Sequence, residues 1–299
     1  MELWVKDVSI KGYADDTVSS VSDVNEDVIV SKLEADAERI LRFMASNSLS
    51  ANPQKTGFLL IKKNNATEKR DVKIDDKTIK EERCHRILGI TVNNTLSWND
   101  HVDGKGGLLN AVHQCLGALR RISHSVPQSS IPCIASAVVA SKIRYGIAVY
   151  GQVRMNGSDP TSEASQKLQI ALNDAMRICL GKRRRDRVYV TDLIEQTGMK
   201  TFNRMAVEDS MRLVWQAVHV ESSPLSHIVN REGNDTNGRA SRSRSRGDLQ
   251  NRATTTLGQR NFPEPAVRLW NKSTQTLRDA DSRLSAKREI TRFANSLPL

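Results

Sequence analysis

Residues 10–18 read IKGYADDTV, and this stretch decides how the first part of the chain folds. β-Branched residues lie on both sides of the acidic pair, and Gly12 loosens the backbone just before it, which predicts a β-hairpin. Neighbouring side chains on a strand face opposite sides of a sheet, so Asp15 and Asp16 can act together only where the strand bends. The alternative is a solvated hairpin tip, because aspartate is common in turns.

Two further segments follow the hairpin in the order that a known family shows. YADD at a hairpin bend resembles the third conserved block of reverse transcriptases, and LSANPQKTGFLLI (residues 49–61) resembles the family's GL-x-x-N-x-x-K-T block. RILGITVNNTLSWNDHV (residues 86–102) is similar to LG-x-x-x-D-x-x-L-x-W-x-x-H of non-LTR retrotransposon polymerases. Three positions depart from the family: Ser48 stands for the usual Gly, Asn93 for the usual Asp, and NKST for the N-x-L-P of the tail.

The likeness continues more loosely through residues 144–151, 168–181, 191–205 and 269–278. It implies an α+β fold, in which a partial polymerase palm of antiparallel β-hairpins plus helix is followed by an α-helical thumb bundle. The implied domains are the palm (residues 1–95), the helical thumb or connection (96–221), a flexible basic Ser/Arg linker (222–262) and a C-terminal amphipathic tail (263–299).

The resemblance also implies a nucleotidyl-transfer site at the hairpin. Asp15 and Asp16 are expected as ligands of Mg²⁺ (or Mn²⁺), whose oxygen-rich coordination carboxylates supply. Lys55 is expected to face the outgoing pyrophosphate, although a surface lysine fits the sequence equally well. The other positions that the resemblance places at bound nucleic acid are Tyr13 and Ala14, and also Leu88 and Gly89, which it places at a primer-supporting hairpin.

The family completes this metal site with another aspartate, on a palm strand well upstream of YADD, and its fingers also precede YADD. Here twelve residues precede Tyr13, and Asp7 is too close in sequence to come from a separate strand. We therefore expect the C-terminal half of a non-LTR retrotransposon reverse transcriptase that is inactive alone. The implied partners are an RNA template, a DNA primer, dNTP in an active form, and the missing N-terminal half.

Basic charge is concentrated in the later part of the chain. Residues 1–100 carry 15 Lys and Arg against 17 Asp and Glu, whereas the remainder carries 30 against 17, so the net charge of +11 arises after residue 100. Such asymmetry suits a polyanion, although an ordinary basic surface is the alternative. Candidates for phosphate contact, with a solvated loop as the alternative, are Lys182, Arg183, Arg184, Arg185 and Arg187.

Periodicity predicts the remaining elements. Apolar residues at helical spacing over residues 30–44 predict an amphipathic helix, with Ser31 and Glu34 as a capping box. Residues 72–79 predict a second hairpin whose acidic pair is a solvated turn, and residues 87–92 predict a strand. Gly181 is predicted to end a later helix.

Three functional classes remain open from the sequence. They are the polymerase fragment, a non-catalytic module that binds RNA or DNA, and a non-functional relic of a degraded element. The four cysteines lack the spacing of a metal site, and no Walker-type phosphate loop is present. No signal peptide or membrane span is predicted, so we expect a soluble protein of the cytoplasm or nucleus.

Overall fold

A computed structural model describes residues 6–52, 54–62, 69–156, 162–226, 248–250 and 256–297. The chain divides into two compact units, residues 1–101 and 102–299; the sequence placed a boundary after residue 95. The first unit combines β-hairpins with one long helix, and the second is helical. The fold class is therefore α+β.

The strands of the first unit form three antiparallel hairpins, each closed by a two-residue turn. Within the described ranges, each hairpin is a separate two-stranded sheet. The prediction of one continuous strand over residues 87–92 is wrong, because the chain reverses at Leu88 and Gly89. The hairpins are β1 (Ser9–Tyr13) with β2 (Asp16–Ser20), β3 (Asp71–Ile74) with β4 (Lys77–Lys80), and β5 (Cys84–Ile87) with β6 (Ile90–Asn93).

The long helix of the first unit, α1 (Glu26–Ser46), covers one of these hairpins. Its N-cap is Asn25, whose side chain accepts a hydrogen bond from the Asp27 amide at 2.9 Å. The predicted capping box at Ser31 is wrong, because that residue lies inside the helix and donates to the Asp27 carbonyl. The apolar face of α1 packs on a small core of the β3–β4 hairpin and its neighbours, which contains Phe58, Leu60, Val72, Ile74 and Ile79.

A short helix, α2 (Asn99–Asp103), spans the boundary between the units, and the named elements of the second unit within the described ranges are helices. They are α3 (Leu108–Ile122), α4 (Ile131–Ala135), α5 (Ser141–Arg144), α6 (Ile147–Tyr150), α7 (Glu163–Cys179), α8 (Val190–Thr197), α9 (Phe202–His219), α10 (Thr256–Arg260), α11 (Glu264–Lys272), α12 (Gln275–Arg278) and α13 (Arg283–Ser296). A π-helical stretch, Ser136–Ala140, joins α4 to α5. None of the helices in the described ranges combines the length and apolar character needed to cross a membrane.

The C-terminal segment packs on α9. Leu269 and Trp270 of α11 are fully buried in a core shared with Val207 and Met211 of α9. Much of the predicted linker, residues 222–262, lies outside the described residues. Where it is described, Leu249 is buried, and its backbone exchanges two hydrogen bonds of 2.8 and 2.9 Å with the side chain of Asn271.

A buried ion network ties α5 to α9. Glu208 is fully buried, and its carboxylate lies 3.0 Å from the Arg144 guanidinium and in contact with the Lys200 ammonium. Arg144 also forms a bidentate pair with Asp209 at 2.6 and 2.7 Å. Burial raises the pKa of Glu208, but hydrogen bonds and charge from Lys200 and Arg144 outweigh it and place that pKa below its ordinary value.

Candidate functional site

The acidic hairpin, β1 with β2, brings the predicted metal ligands to its bend. Tyr13 pairs with Asp16 across the strands, so Ala14 and Asp15 form the turn. Ala14 has φ 53°, a left-handed conformation that a two-residue hairpin turn requires and that a small residue adopts at moderate cost. Asp15 therefore occupies the second turn position, and Asp16 is the first residue of β2.

Both carboxylates of this bend face solvent. Asp15 and Asp16 are exposed, and the structure places no Lys or Arg within ion-pair distance of either among the described residues. Tyr13 beside them is 69% exposed, which leaves its ring available to a ligand. Two adjacent carboxylates without a cationic partner are suited to a hard divalent cation, which takes one or two carboxylates and fills its other positions with phosphate oxygens or water.

The β3–β4 hairpin provides an internal comparison. Its turn is also two residues long, and Asp75 has φ 51°, close to the value at Ala14. Both acids, Asp75 and Asp76, occupy the turn itself, which confirms the predicted acidic turn. In the acidic hairpin the acidic pair lies one position later along the chain. Its second acid, Asp16, is therefore the first strand residue and pairs with Tyr13.

Asp7 lies at the open end of the acidic hairpin, away from the bend. Its carboxylate is 3.2 Å from the Arg39 guanidinium. Val8 and the five residues of β1 separate Asp7 from the turn, and these six residues at about 3.3 Å each span about 20 Å. Among the described residues, no three His, Cys, Asp or Glu side chains are gathered as a group that holds a metal.

Asp36 is a residue whose role the sequence interpretation missed. It is fully buried on α1, and its carboxylate accepts hydrogen bonds from the amides of Lys6, Asp7 and Val8 at 3.2, 2.7 and 2.8 Å. Burial raises its pKa, but the hydrogen bonds, including one from Arg39, outweigh burial and lower it. Asp36 thus fixes the chain at the entry to β1. An acid within the apolar face of a helix is the sequence feature that indicates such a role.

Lys55 lies in a turn organised by Asn52. The Asn52 side chain accepts from the Gln54 amide at 3.0 Å, and its carbonyl accepts from the Lys55 amide at 3.1 Å. The Lys55 side chain is exposed and has no carboxylate partner among the described residues. It is therefore a free cation, and the structure shows no ion pair between it and Asp15 or Asp16.

Leu88 and Gly89 form the turn of the β5–β6 hairpin. Their φ values are 48° and 82°, so both central residues are left-handed, as in a type I′ turn. Glycine adopts this conformation freely, whereas a leucine there carries a steric cost of about 1–2 kcal/mol. Leu88 is 42% exposed at the tip. The predicted primer-supporting position is thus a strained hairpin tip, separate from the acidic hairpin.

Asn93, where the family has Asp, organises the loop that follows β6. It is almost fully buried, and its amide nitrogen donates to the Ser97 hydroxyl at 2.8 Å and to the Asp100 carboxylate at 2.6 Å. Its oxygen accepts from the Ser97 amide at 2.8 Å. The contact to Asp100 requires a donor, so an amide fits this position better than a carboxylate.

We expect Asn93→Asp to lower the free energy of unfolding of the first unit by about 2 kcal/mol at pH 7, because two carboxylates would meet at hydrogen-bond distance in a buried loop. The loss should shrink near pH 4, where one carboxyl takes up a proton and donates again. Urea unfolding followed by the amide resonances of β5 and β6 in the ¹⁵N-labelled protein measures both values for the first unit. Asn94→Asp adds the same charge one position along and should change stability by less than about 0.5 kcal/mol; equal losses would contradict the explanation.

The predicted phosphate-binding cations begin directly after α7. Gly181, with φ 63°, ends that helix as predicted, and the Lys182 amide donates back to the Arg177 carbonyl at 2.8 Å. The Arg184 guanidinium is held by the largely buried carboxylate of Asp174 through two hydrogen bonds, one of 2.9 Å. Arg184 is therefore a structural cation.

The other cations of this loop are exposed. Arg185 lies 4.0 Å from the Asp186 carboxylate, at the limit of an ion pair. Lys182, Arg183 and Arg187 have side chains with no carboxylate partner in the part of the chain that the structure describes. Because these three positive charges face solvent unpaired, they are available to an external anion.

Comparison of the chain with protein-family models, with curated proteins and with solved structures found no match.

Proposed function

We propose that this chain is part of an RNA-directed DNA polymerase of a non-LTR retrotransposon, namely half of the palm, the thumb and the C-terminal tail. One observation carries the proposal: the two acids of YADD are neighbours at a hairpin bend, exposed and without a cationic partner among the described residues. The resemblance of three sequence segments in order supplies the reaction class. RNA template, DNA primer and dNTP are the proposed substrates.

In this proposal Asp15 and Asp16 hold Mg²⁺ or Mn²⁺ at the bend. Bound divalent ions lower the pKa of a primer 3′-hydroxyl and stabilise charge on a leaving pyrophosphate. The short Ala14 side chain leaves room for a nucleic-acid backbone at the turn. Lys55, a cation on an ordered turn, is the proposed partner of the pyrophosphate.

Two carboxylates alone leave such a site incomplete. We propose that a further acid and the nucleotide-binding fingers come from polypeptide outside this chain, and that the chain alone does not incorporate nucleotides. Asp7 does not supply the acid in this proposal, because it lies at the opposite end of the hairpin and pairs with Arg39.

Metal binding at the bend can be tested on the chain itself. We expect Mn²⁺ titrated into the ¹⁵N-labelled protein to broaden the amide resonances of residues 14–17 first, because a paramagnetic ion relaxes nearby nuclei. The double variant Asp15→Asn/Asp16→Asn should lose this broadening, whereas Asp75→Asn/Asp76→Asn should keep it. The proposed site would be contradicted if the resonances of residues 75–76 broadened at a lower Mn²⁺ concentration than those of residues 14–17.

A further inference from the structure

Helices α3 and α7 of the second unit pack against each other, and two contacts indicate that they run in the same direction. At their beginnings, the Lys167 ammonium of α7 contacts the carboxylate of Asp103, five residues before α3. At their ends, the side chain of Gln128, six residues after α3, donates to the carbonyl of Cys179, the last residue of α7. The chain leaving α3 therefore lies against the point where the cationic loop after α7 begins.

This shared end collects positive charge from two distant parts of the sequence. Arg120 and Arg121, in the last turn of α3, are exposed and have no carboxylate partner among the described residues. Lys182, Arg183 and Arg187 add three more unpaired charges from the loop after α7. Each helix C-terminus carries about half a negative elementary charge, so five cations exceed what the two helix ends can balance.

An exposed aromatic ring follows the last of these cations in the chain. Tyr189 is the N-cap of α8, two residues after Arg187, and it is 77% exposed. Arg187 has φ 35°, a left-handed conformation that reverses the chain just before the ring is presented. A flat ring among unpaired cations suits a single nucleic-acid strand, because bases stack on aromatic faces while the cations follow the phosphates.

We infer that the shared end of α3 and α7 binds a single strand of RNA or DNA. The phosphates contact Arg120, Arg121, Lys182, Arg183 and Arg187, and a base stacks on Tyr189. The surface is built entirely within the second unit and does not use Asp15 or Asp16. It therefore goes beyond the proposed metal site and stands or falls separately.

Fluorescence anisotropy of a labelled 20-nucleotide oligouridylate, titrated with the full chain at several salt concentrations, tests this surface. We expect Arg120→Gln/Arg121→Gln to weaken binding and to reduce the slope of log K against log salt by about 1.4, because each phosphate neutralised on a single strand contributes about 0.7 to that slope. The control Lys287→Gln/Arg288→Gln removes the same charge from exposed positions of α13 and should leave the slope unchanged. Every variant keeps residues 222–262, so binding by that basic segment cancels in the comparison.

Stacking on the aromatic ring has its own variants. Tyr189→Ala should weaken binding at least about fivefold without changing the salt slope, and Tyr189→Phe should bind like the parent chain, because stacking needs the ring and not the hydroxyl. Circular dichroism melts of each variant, which we expect to match the parent chain, control for an intact fold.

Three outcomes would overturn the inference: equal weakening by the α3 pair and the α13 control, no effect of Tyr189→Ala, or competition by polyglutamate as effective as by unlabelled oligouridylate, which would indicate a surface for acidic proteins. Asp15→Asn/Asp16→Asn should bind the oligonucleotide normally. A failure of Mn²⁺ binding at the hairpin and a failure of strand binding at this surface are thus distinguishable.

Discussion

Asp15→Ala is expected to lower nucleotide incorporation by about a thousandfold or more in a polymerase assembled from this chain and the upstream half of a reverse transcriptase. In the proposed site, loss of one carboxylate ligand weakens the stabilisation of charge that develops in the transition state, and about 4 kcal/mol of added barrier corresponds to that factor. Single-turnover extension of a DNA primer on an RNA template, with Mg²⁺ present, measures the rate. Asp16→Ala should reduce the rate by a similar factor.

The second acidic turn supplies the matched control for this experiment. Asp75→Ala removes an exposed carboxylate from the first position of a two-residue turn, where φ is 51°, close to the 53° of Ala14 in the acidic hairpin, and we expect the rate to stay within about twofold of the parent. Asp15→Asn keeps a residue that tolerates turn conformations while removing the charge, so its lower rate reports metal ligation rather than folding. The assignment of Asp15 as a metal ligand would be contradicted if Asp15→Asn and Asp75→Ala lowered the rate by comparable factors, or if neither changed it.

The acidic hairpin could be predicted from the sequence because its determinants are local. A two-residue reversal between short strands needs only a bend-tolerant pair and alternating side chains, and the same pattern correctly predicted the Asp75–Asp76 turn. The residue pattern alone missed the chain reversal at Leu88, which the resemblance places at a hairpin, because leucine is a poor turn residue. The left-handed backbone there is set by the pairing of β5 with β6. The start of α1 was missed because Asn25 caps it alone, without the paired acid of a capping box.

Pairing of charges across the fold could not be predicted from composition. Counting cations gave five equivalent candidates for phosphate contact after α7. One of them, Arg184, is instead hydrogen-bonded to the carboxylate of Asp174 in the last turns of α7. The partners of Asp36 are amides about thirty residues away. Gln128, which belongs to no recognisable sequence pattern, links the chain after α3 to the end of α7. Such contacts depend on tertiary packing, which a single sequence does not record.

The largest stability effect is expected at the buried network of Glu208. We expect Arg144→Leu to lower the free energy of unfolding of the second unit by about 3 kcal/mol at pH 7, because it leaves the fully buried Glu208 carboxylate with one fewer cation. Glu208→Gln should cost less, about 1–2 kcal/mol. The cations left behind by Glu208→Gln, Arg144 and Lys200, are about a third exposed and can be hydrated. Arg144 also keeps its ion pair with Asp209.

The pH dependence gives this asymmetry a second test. The pKa of Glu208 lies below its ordinary value of 4.5, so its ionised form contributes stability above that pH, and the contribution disappears as the pH falls through the lower, folded-state pKa. Arg144→Leu removes one of the charges that lower this pKa, so the carboxyl protonates earlier and the destabilisation should shrink on acidification. Urea unfolding followed at 222 nm at pH 7 and pH 4 measures both. Arg288→Leu, an exposed cation of α13 without a carboxylate partner among the described residues, should change stability by less than about 0.5 kcal/mol at either pH. If Arg144→Leu cost no more than this control, or cost more at pH 4 than at pH 7, the buried carboxylate would not be what holds α5 to α9, and their apolar contacts alone would have to account for it.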